Sequence, residues 1–385
     1  MTTTTTQKLE HKTLASGLAN PHLDFKVLWG ATLLLLGGGV TMVASASSVF
    51  AYETYGNSWY LAARQVVFAA LGVFAMWFAS HRSPYATRKI AWVFLAGVIL
   101  ALIAVLIIGT SVNGQRNWIE FGPIRIQPSE YAKLAVILWS ADVLTRKQAL
   151  LSDRKHLLVP IVPVCVVILL LILREGDLGT AMVMTPIMMA MMFYAGVPGR
   201  WMGYTSVLGL AGIAYYSHAQ AYRMVRFTAW LHPDADPSGA GFQLAHGKQA
   251  MGTGGWWGLS LGASREKWGT LPEAHTDFIY AVVGEETGLL GTFAILILFL
   301  AIGYTGFRIA RRAPDPYTQL VAAGVTTWIT VQMFVNICAV LGLLPITGVP
   351  LPLVSYGGSS LIPTLTALGI LMSFARHSAA EADSS

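Results

Sequence analysis

The chain has 385 residues, 55% of them hydrophobic and only 11% charged, and its mean hydropathy is +0.58. Soluble domains carry about 25% charged residues, so a soluble globular protein is excluded and an integral membrane protein is expected. The formal charge of +6 follows from basic residues gathered on one side of the membrane, and it calls for no nucleic-acid partner.

In chain order, residues 1–25 open on a Thr run and are expected to form a disordered cytoplasmic tail. No cleavable signal pattern precedes the first apolar stretch, so that helix is expected to be retained. Ten stretches close to the length that spans a bilayer follow, at 27–48, 62–80, 89–109, 129–145, 157–173, 178–196, 201–218, 277–306, 319–341 and 353–374. The fourth is the least apolar because it holds Glu130 and Lys133. The predicted fold is therefore an all-α polytopic membrane protein of about ten transmembrane helices. With the N-terminus inside, the inner segments hold fifteen of the 25 Lys and Arg. The short outer loops hold only Arg64, Arg116, Arg125 and Arg174, which is the positive-inside asymmetry. Both termini are then cytoplasmic, residues 26–375 form a single membrane domain, 219–276 is a long extracytoplasmic loop and 376–385 is a short cytoplasmic tail. Cys165 and Cys338 fall within spans and read as packing residues.

Three outer segments interrupt the apolar pattern. The first, 110–128, carries Asn113 through Trp118 and then Arg125 through Pro128, running into Ser129 and Glu130. The second is the long loop. Asp234 through Gly239 form a turn cluster, residues 241–251 read as a short surface helix with Gln243, His246 and Lys248, and Gly252 through Gly258 flank two Trp rings suited to a membrane interface. A loop this long is usually functional. The third runs from Pro345 to Pro352 and on to Ser355 through Ser360. All three lie on one side in this topology.

The long loop ends in Leu271-Pro272-Glu273-Ala274-His275-Thr276-Asp277-Phe278. Asp277 thus stands where an apolar helix begins, as a positioned base or as a helix cap. On a helix starting there, Ala281, Gly284 and Gly288 share its face, and small residues admit a neighbouring helix or lipid tail. Glu285 and Glu286 read as ties between helices, and Glu273 as a loop-orienting or solvated group. Arg223 and Arg226, three apart, project together on a helix, either to bind phosphate oxygens or to anchor in headgroups. Lys267 has the same two readings, anion-binding or solvated. Glu130 and Lys133 form an intramembrane i,i+3 pair, which marks a cavity or fixes helix packing. Asp177 reads as structural, paired with Arg174. Ser355 and Ser359 offer hydroxyls at the outer face, for ligand contacts or for a close-packed helix start.

These residues carry a resemblance. The Arg125–Glu130 run with Lys133, Asp177-Leu178-Gly179-Thr180, Tyr222-Arg223 with Arg226, Gly241-Phe242-Gln243, Lys267, Leu271 through Glu286 and Pro352 through Ser360 resemble the SEDS family (shape, elongation, division, sporulation), and its division branch more than its elongation branch. The resemblance covers residues 25–375. Asn117 departs from the Arg that many relatives have there, and His246 from a Gln.

The resemblance implies a peptidoglycan glycosyltransferase that polymerises lipid II outside the cytoplasmic membrane. It makes Asp277 the catalytic group and places Arg223, Arg226, Lys267, Gln243, His275, Ser355 and Ser359 at substrate and pyrophosphate. It also implies a central cavity lined by Glu130 and Lys133, and a class B penicillin-binding transpeptidase of the FtsI type as partner, with other division-complex membrane proteins. The expected location is the inner membrane at the septum. Attack by the acceptor 4-hydroxyl on an α-linked donor would give inversion. No nucleotide-binding motif appears and no His/Cys metal cluster; a divalent cation, Mg²⁺ or Mn²⁺, bridging pyrophosphate and Asp277 stays open. Two other functions stay open: a lipid-linked oligosaccharide flippase, which the intramembrane charges Glu130, Lys133, Glu285 and Glu286 suit but which lacks the paired broken helices of transporters, and a non-catalytic scaffold of the division complex.

Overall fold

The computed structural model describes residues 21–112, 115–122, 124–147, 161–218, 221–233, 236 and 239–384. The expected tail up to residue 20, the basic pair Arg154–Lys155, most of the 234–239 turn cluster and the side chain of Arg223 lie outside the described residues.

Each of the ten apolar stretches contains a helix. In chain order they are α1 (Pro21–Ala46), the short α2 (Ser48–Tyr55), α3 (Tyr60–Ser80), α4 (Pro84–Ile108), α5 (Pro128–Arg146), α6 (Ile161–Arg174), α7 (Leu178–Tyr194) and α8 (Gly199–His218). These are followed by α9 (Ala221–Leu231), α10 (Ala240–Gly254), α11 (Ile279–Arg312), α12 (Pro316–Val340) and α13 (Gly358–Ser384). Starts are written in the sequence where Ser83 caps α4 and Asp315 caps α12, each followed by Pro at the first helical position. Among the described residues, six helices are long and apolar enough to cross a membrane: α1, α3, α4, α11, α12 and α13. The apolar helices α6 and α7 are shorter, with 14 and 17 residues.

Burial explains the weak hydropathy of the fourth stretch. Nearly every residue of α5 is buried, as are most of α12, so these two form the centre of the bundle and need not present a lipid-like surface. Their polar groups are satisfied internally. Lys133 Nζ donates to both Glu130 oxygens at 2.8 Å and to Gln332 Oε1 at 2.9 Å, and Trp328 Nε1 donates to the same Gln332 oxygen. The outward faces of α3, α4 and α11 expose Phe74, Trp77, Val93, Ile107, Phe293 and Ile297, far more apolar surface than a water-soluble monomer tolerates. Small residues let the inner helices close. A side chain on Gly369 of α13 would meet the Met76 carbonyl of α3, and one on Gly306 of α11 would meet Thr326 of α12.

Four expectations are corrected. The fold is not all-α: 110–126 forms a three-stranded antiparallel sheet, β1 (Thr110–Val112), β2 (Gln115–Phe121) and β3 (Ile124–Ile126), whose short strands follow directly on α4. α1 begins at Pro21, inside the expected tail, and the expected C-terminal tail is helical as far as Ser384. The eighth stretch is not one smooth helix, because Gly288 has φ 67 and ψ −166 in the middle of α11. The loop helix α10 exposes Ala245, Lys248 and Gln249, as a surface helix does, and packs its other face on α11. Its Gly247 lies against Phe278 and Ala281, and its Gly254 against the Gly284 carbonyl, so the small-residue face of α11 receives another helix.

The break at Gly288 is filled by the long loop. Leu259 N donates to the Glu285 carbonyl at 2.9 Å, Ser260 N to the Glu286 carbonyl at 3.1 Å, and Leu289 N to the Gly255 carbonyl at 2.9 Å. The side chains complete the tie. Glu286 accepts from Ser45, Gly262 N and Ser264 N, and Glu285 from Ser264 Oγ and Arg265 N. The two glutamates join loop to helix; of the helix-to-helix ties that the sequence suggested, the Ser45–Glu286 bond between α1 and α11 is the one among these contacts.

Candidate active site

Asp277 precedes the helix rather than capping it: the cap position of α11 is Phe278, which makes no side-chain cap bond. The backbone around Asp277 is held by distant residues. Asn336 Nδ2, on α12, donates to the carbonyls of Asp277 and Val349, both at 2.8 Å. Ser355 Oγ donates to the Thr276 carbonyl at 2.7 Å and accepts from Leu351 N at 2.8 Å. Tyr356 N donates to the His275 carbonyl at 2.9 Å. The 345–357 segment is thereby fastened alongside 275–277, which fixes where the Asp277 carboxyl group stands.

That group faces a guanidinium. Gly348 has φ 74, and a side chain built on it would meet Asp277 Oδ2 at 3.5 Å and Arg226 Nη1 at 3.6 Å. Carboxylate and guanidinium therefore flank one glycine, whose missing side chain leaves the space beside them open. Arg226 is carried by α9, and α9 is fixed by the buried Ala229 and by Trp230 Nε1 donating to the Gly342 carbonyl at 2.9 Å. Asp277 is half-buried. Burial pushes its carboxyl up to about 7, with Glu273 and Asp177 adding to the rise and Arg226 opposing it. Burial likewise lowers His275 against the opposing pull of Glu273. A carboxyl group titrating near neutrality beside a fixed cation can take a proton and can stabilise a neighbouring anion.

The other expected site residues fall into two groups. Gln243 and His275 belong to the surroundings of the 271–278 string: Gln243 Nε2 donates to the Pro272 carbonyl at 3.0 Å, and the His275 ring stacks on Phe50. The side chain of Arg223 lies outside the described residues, and the others are spent on internal contacts. Lys267 is buried, donates to the Gly262 carbonyl and lies 3.8 Å from Glu286, so its charge is matched inside the protein. Ser355 holds backbone, and Ser359 Oγ accepts from Gln127 N at 2.7 Å; both are buried. The Glu130–Lys133 pair is sealed within the bundle at 3% and 1% exposure, which favours its packing role over a cavity-lining one.

Two buried acidic residues, Asp177 and Glu175, stand out beside these. Asp177 pairs with Gln127, Ser129 and the Thr180 amide rather than with Arg174, and its charge reaches Asp277. Glu175 is 1% exposed and, among the described residues, neither carboxyl oxygen has a hydrogen-bond partner; burial with Asp177 nearby pushes it up to about 9. The adjacency of these acids in sequence was visible, but the reach of Asp177 to a residue a hundred positions away was not. Among the described residues, no cluster of three or more His, Cys, Asp or Glu is placed to hold a metal ion.

The comparisons with known proteins agree with one another. A family model of FtsW, RodA and SpoVE, described as cell cycle proteins, matches residues 26–380. Stage V sporulation protein E of Bacillus subtilis is 40% identical over 90% of this chain and 95% of its own length. A probable peptidoglycan glycosyltransferase FtsW of Mycobacterium tuberculosis is 38% identical over 94% of this chain and 69% of its own, and one of Geobacter metallireducens is 40% identical over 87% and 90%. Among solved structures, a chain of a peptidoglycan synthase complex that coordinates polymerization and crosslinking aligns with a TM-score of 0.75, 28% identity and coverage of 91% and 96%. The rod shape determining protein RodA of Thermus thermophilus aligns with a TM-score of 0.68, 26% identity and coverage of 91% and 95%.

Proposed function

The chain belongs to the FtsW, RodA and SpoVE family of cell cycle proteins, and from that premise we propose that it is a peptidoglycan glycosyltransferase that joins lipid II units into glycan strands. The carrying observation is the Asp277 carboxyl group, pushed up to about 7 and set beside Arg226 across Gly348. In the transfer, the acceptor 4-hydroxyl oxygen bonds to the anomeric carbon of the donor and gives its proton to Asp277. The bond from that carbon to the pyrophosphate oxygen breaks, the lipid pyrophosphate leaves with the electron pair, and the configuration inverts. Arg226, with Arg223 one turn earlier on α9, offsets the leaving charge. We assign no such role to Lys267, which is matched by Glu286.

The remaining parts of this reading are a single membrane domain of ten spans in the inner membrane, with both termini cytoplasmic, the sheet and long loop outside, and action at the septum. A class B transpeptidase partner is supported by the aligned synthase complex, whose name couples polymerization to crosslinking. Transport draws less support, because Glu130, Lys133, Glu285 and Glu286 are taken up by protein partners and leave no charged path. Purified protein in liposomes with labelled lipid II tests the choice: polymer with loss of lipid II is expected, and scrambling of lipid II without polymer would overturn it.

A further inference from the structure

A cavity of about 320 Å³ lies where α4 and α12 begin and α13 passes them at 374–378. That volume falls at the small end of the range for ligand pockets, and the transfer step does not use it. Its apolar walls are Pro84, Tyr85, Pro314, Tyr317 and Phe374, and Arg88, Ser83 and Ser378 add polar groups. It opens beside Tyr85, which is 65% exposed. Both α4 and α12 are long and apolar enough to cross a membrane, and both start at this cavity with Pro at the first helical position. The cavity therefore stands at the edge where two spans enter the bilayer, with the positive ends of two helix dipoles beside it.

The groups left to a ligand are donors. Arg88 Nε donates to Asp142 at 2.5 Å, and among the described residues its two Nη groups make no hydrogen bond. Asp142 also accepts from Arg146 Nε and Trp92 Nε1, both at 2.9 Å, so two guanidinium groups meet one carboxylate and a positive charge is left over. The Arg88 guanidinium lies 5.6 Å from the centre of the Tyr317 ring, which is fixed by its hydroxyl donating to Thr87 Oγ1 at 3.2 Å. At the rim, the Lys89 ammonium lies 4.5 Å from the centre of the Tyr85 ring. The acid on the wall is already engaged: Asp315 Oδ1 accepts from Thr318 N at 3.1 Å and Oδ2 from Thr318 Oγ1 at 2.6 Å. We propose that the cavity holds the phosphodiester headgroup of an anionic phospholipid, with its glycerol against the rings and its phosphate on the Nη fork of Arg88, and with Lys89 at the rim. A guanidinium fork matches phosphate oxygens, and cations at a membrane edge attract anionic lipid. A soluble phosphate ester has the same chemistry; the mostly apolar walls and the position at the start of two spans favour the lipid. The site stands apart from the transferase reading and does not depend on it.

The test uses full-length, delipidated protein in detergent and native mass spectrometry, with phosphatidylglycerol, phosphatidylcholine and soluble glycerol 3-phosphate as the probes. Wild type is expected to hold one phosphatidylglycerol about tenfold more tightly than phosphatidylcholine, whose ammonium would face Arg88 and Lys89. Ser378→Asp sets a carboxylate on the cavity wall without touching the Asp142 pairs, and is expected to abolish that preference. Arg88→Lys keeps a cation for Asp142 but loses the fork; it is expected to weaken the preference, and it decides the matter if Ser378→Asp does not fold. Equal retention of the two lipids by wild type, or a preference that survives in the folded variants, would overturn the site. Displacement of phosphatidylglycerol by an equal concentration of glycerol 3-phosphate would overturn the lipid in favour of a soluble phosphate ester.

Discussion

A carboxylate acts as a base only when it is ionised, and Asp277, pushed up to about 7, is half-ionised near neutrality. kcat/KM is therefore expected to rise with pH up to about 7 and then level off. Arg226 holds that value down, so Arg226→Ala should move the acid limb to higher pH as well as weaken the step. An acid limb unmoved by the substitution would remove Arg226 from the pair. The same shift bears on stability. The native state holds a proton that the unfolded chain releases near 3.8, so the contribution is complete below that value and is lost as pH rises through about 7. Asp277→Asn should accordingly melt no lower than wild type at pH 8. The string ending in Asp277 was legible as a site. Gly348 and Asn336, which open and brace that site, were not, because each acts through a contact some 60 or 70 residues away that no local pattern records.

Among the elements, α11 shows how much a residue pattern can tell and where it stops. The spacing of Ala281, Gly284 and Gly288 identified a close-packing face, and α10 occupies it. The same spacing could not say that Gly288 leaves the helical region, because a glycine fits either conformation. At φ 67 and ψ −166 the position is open to glycine alone, and a side chain there would meet Gly258 N and the Trp256 carbonyl at 2.5 Å. Gly288→Ala is expected to cost at least about 3 kcal/mol, read as a lower melting temperature together with faster proteolysis of the 255–270 loop. An unchanged melting temperature would mean that the loop does not close the break. The sheet escaped a reading tuned to apolar runs, since strands of three and seven residues give too short an alternation to stand out from a polar loop.

At the scale of the whole molecule, hydropathy located the ten apolar helices but not α2, α9 or α10, and it misjudged what α5 is for. Glu130 and Lys133 lower its hydropathy because the helix is wrapped by others, and the pair is balanced within the protein at 2.8 Å. Removing one partner leaves a buried charge and costs about 3–5 kcal/mol, whereas replacing both with apolar residues of similar volume can be neutral or stabilising. Lys133→Met alone is thus expected to lower folded yield and melting temperature, with Glu130→Gln added to it restoring both. If the double variant folds but makes no polymer, the pair has a role at the substrate that its burial does not suggest.

The claim on which the rest depends is that Asp277 takes the acceptor proton. Its most direct measurement is the rate of lipid II polymerisation by purified Asp277→Asn protein beside wild type, both shown to be folded. Loss of the general base predicts a rate lower by about 10²-fold or more with lipid II still bound. Polymerisation within a few-fold of wild type would contradict it.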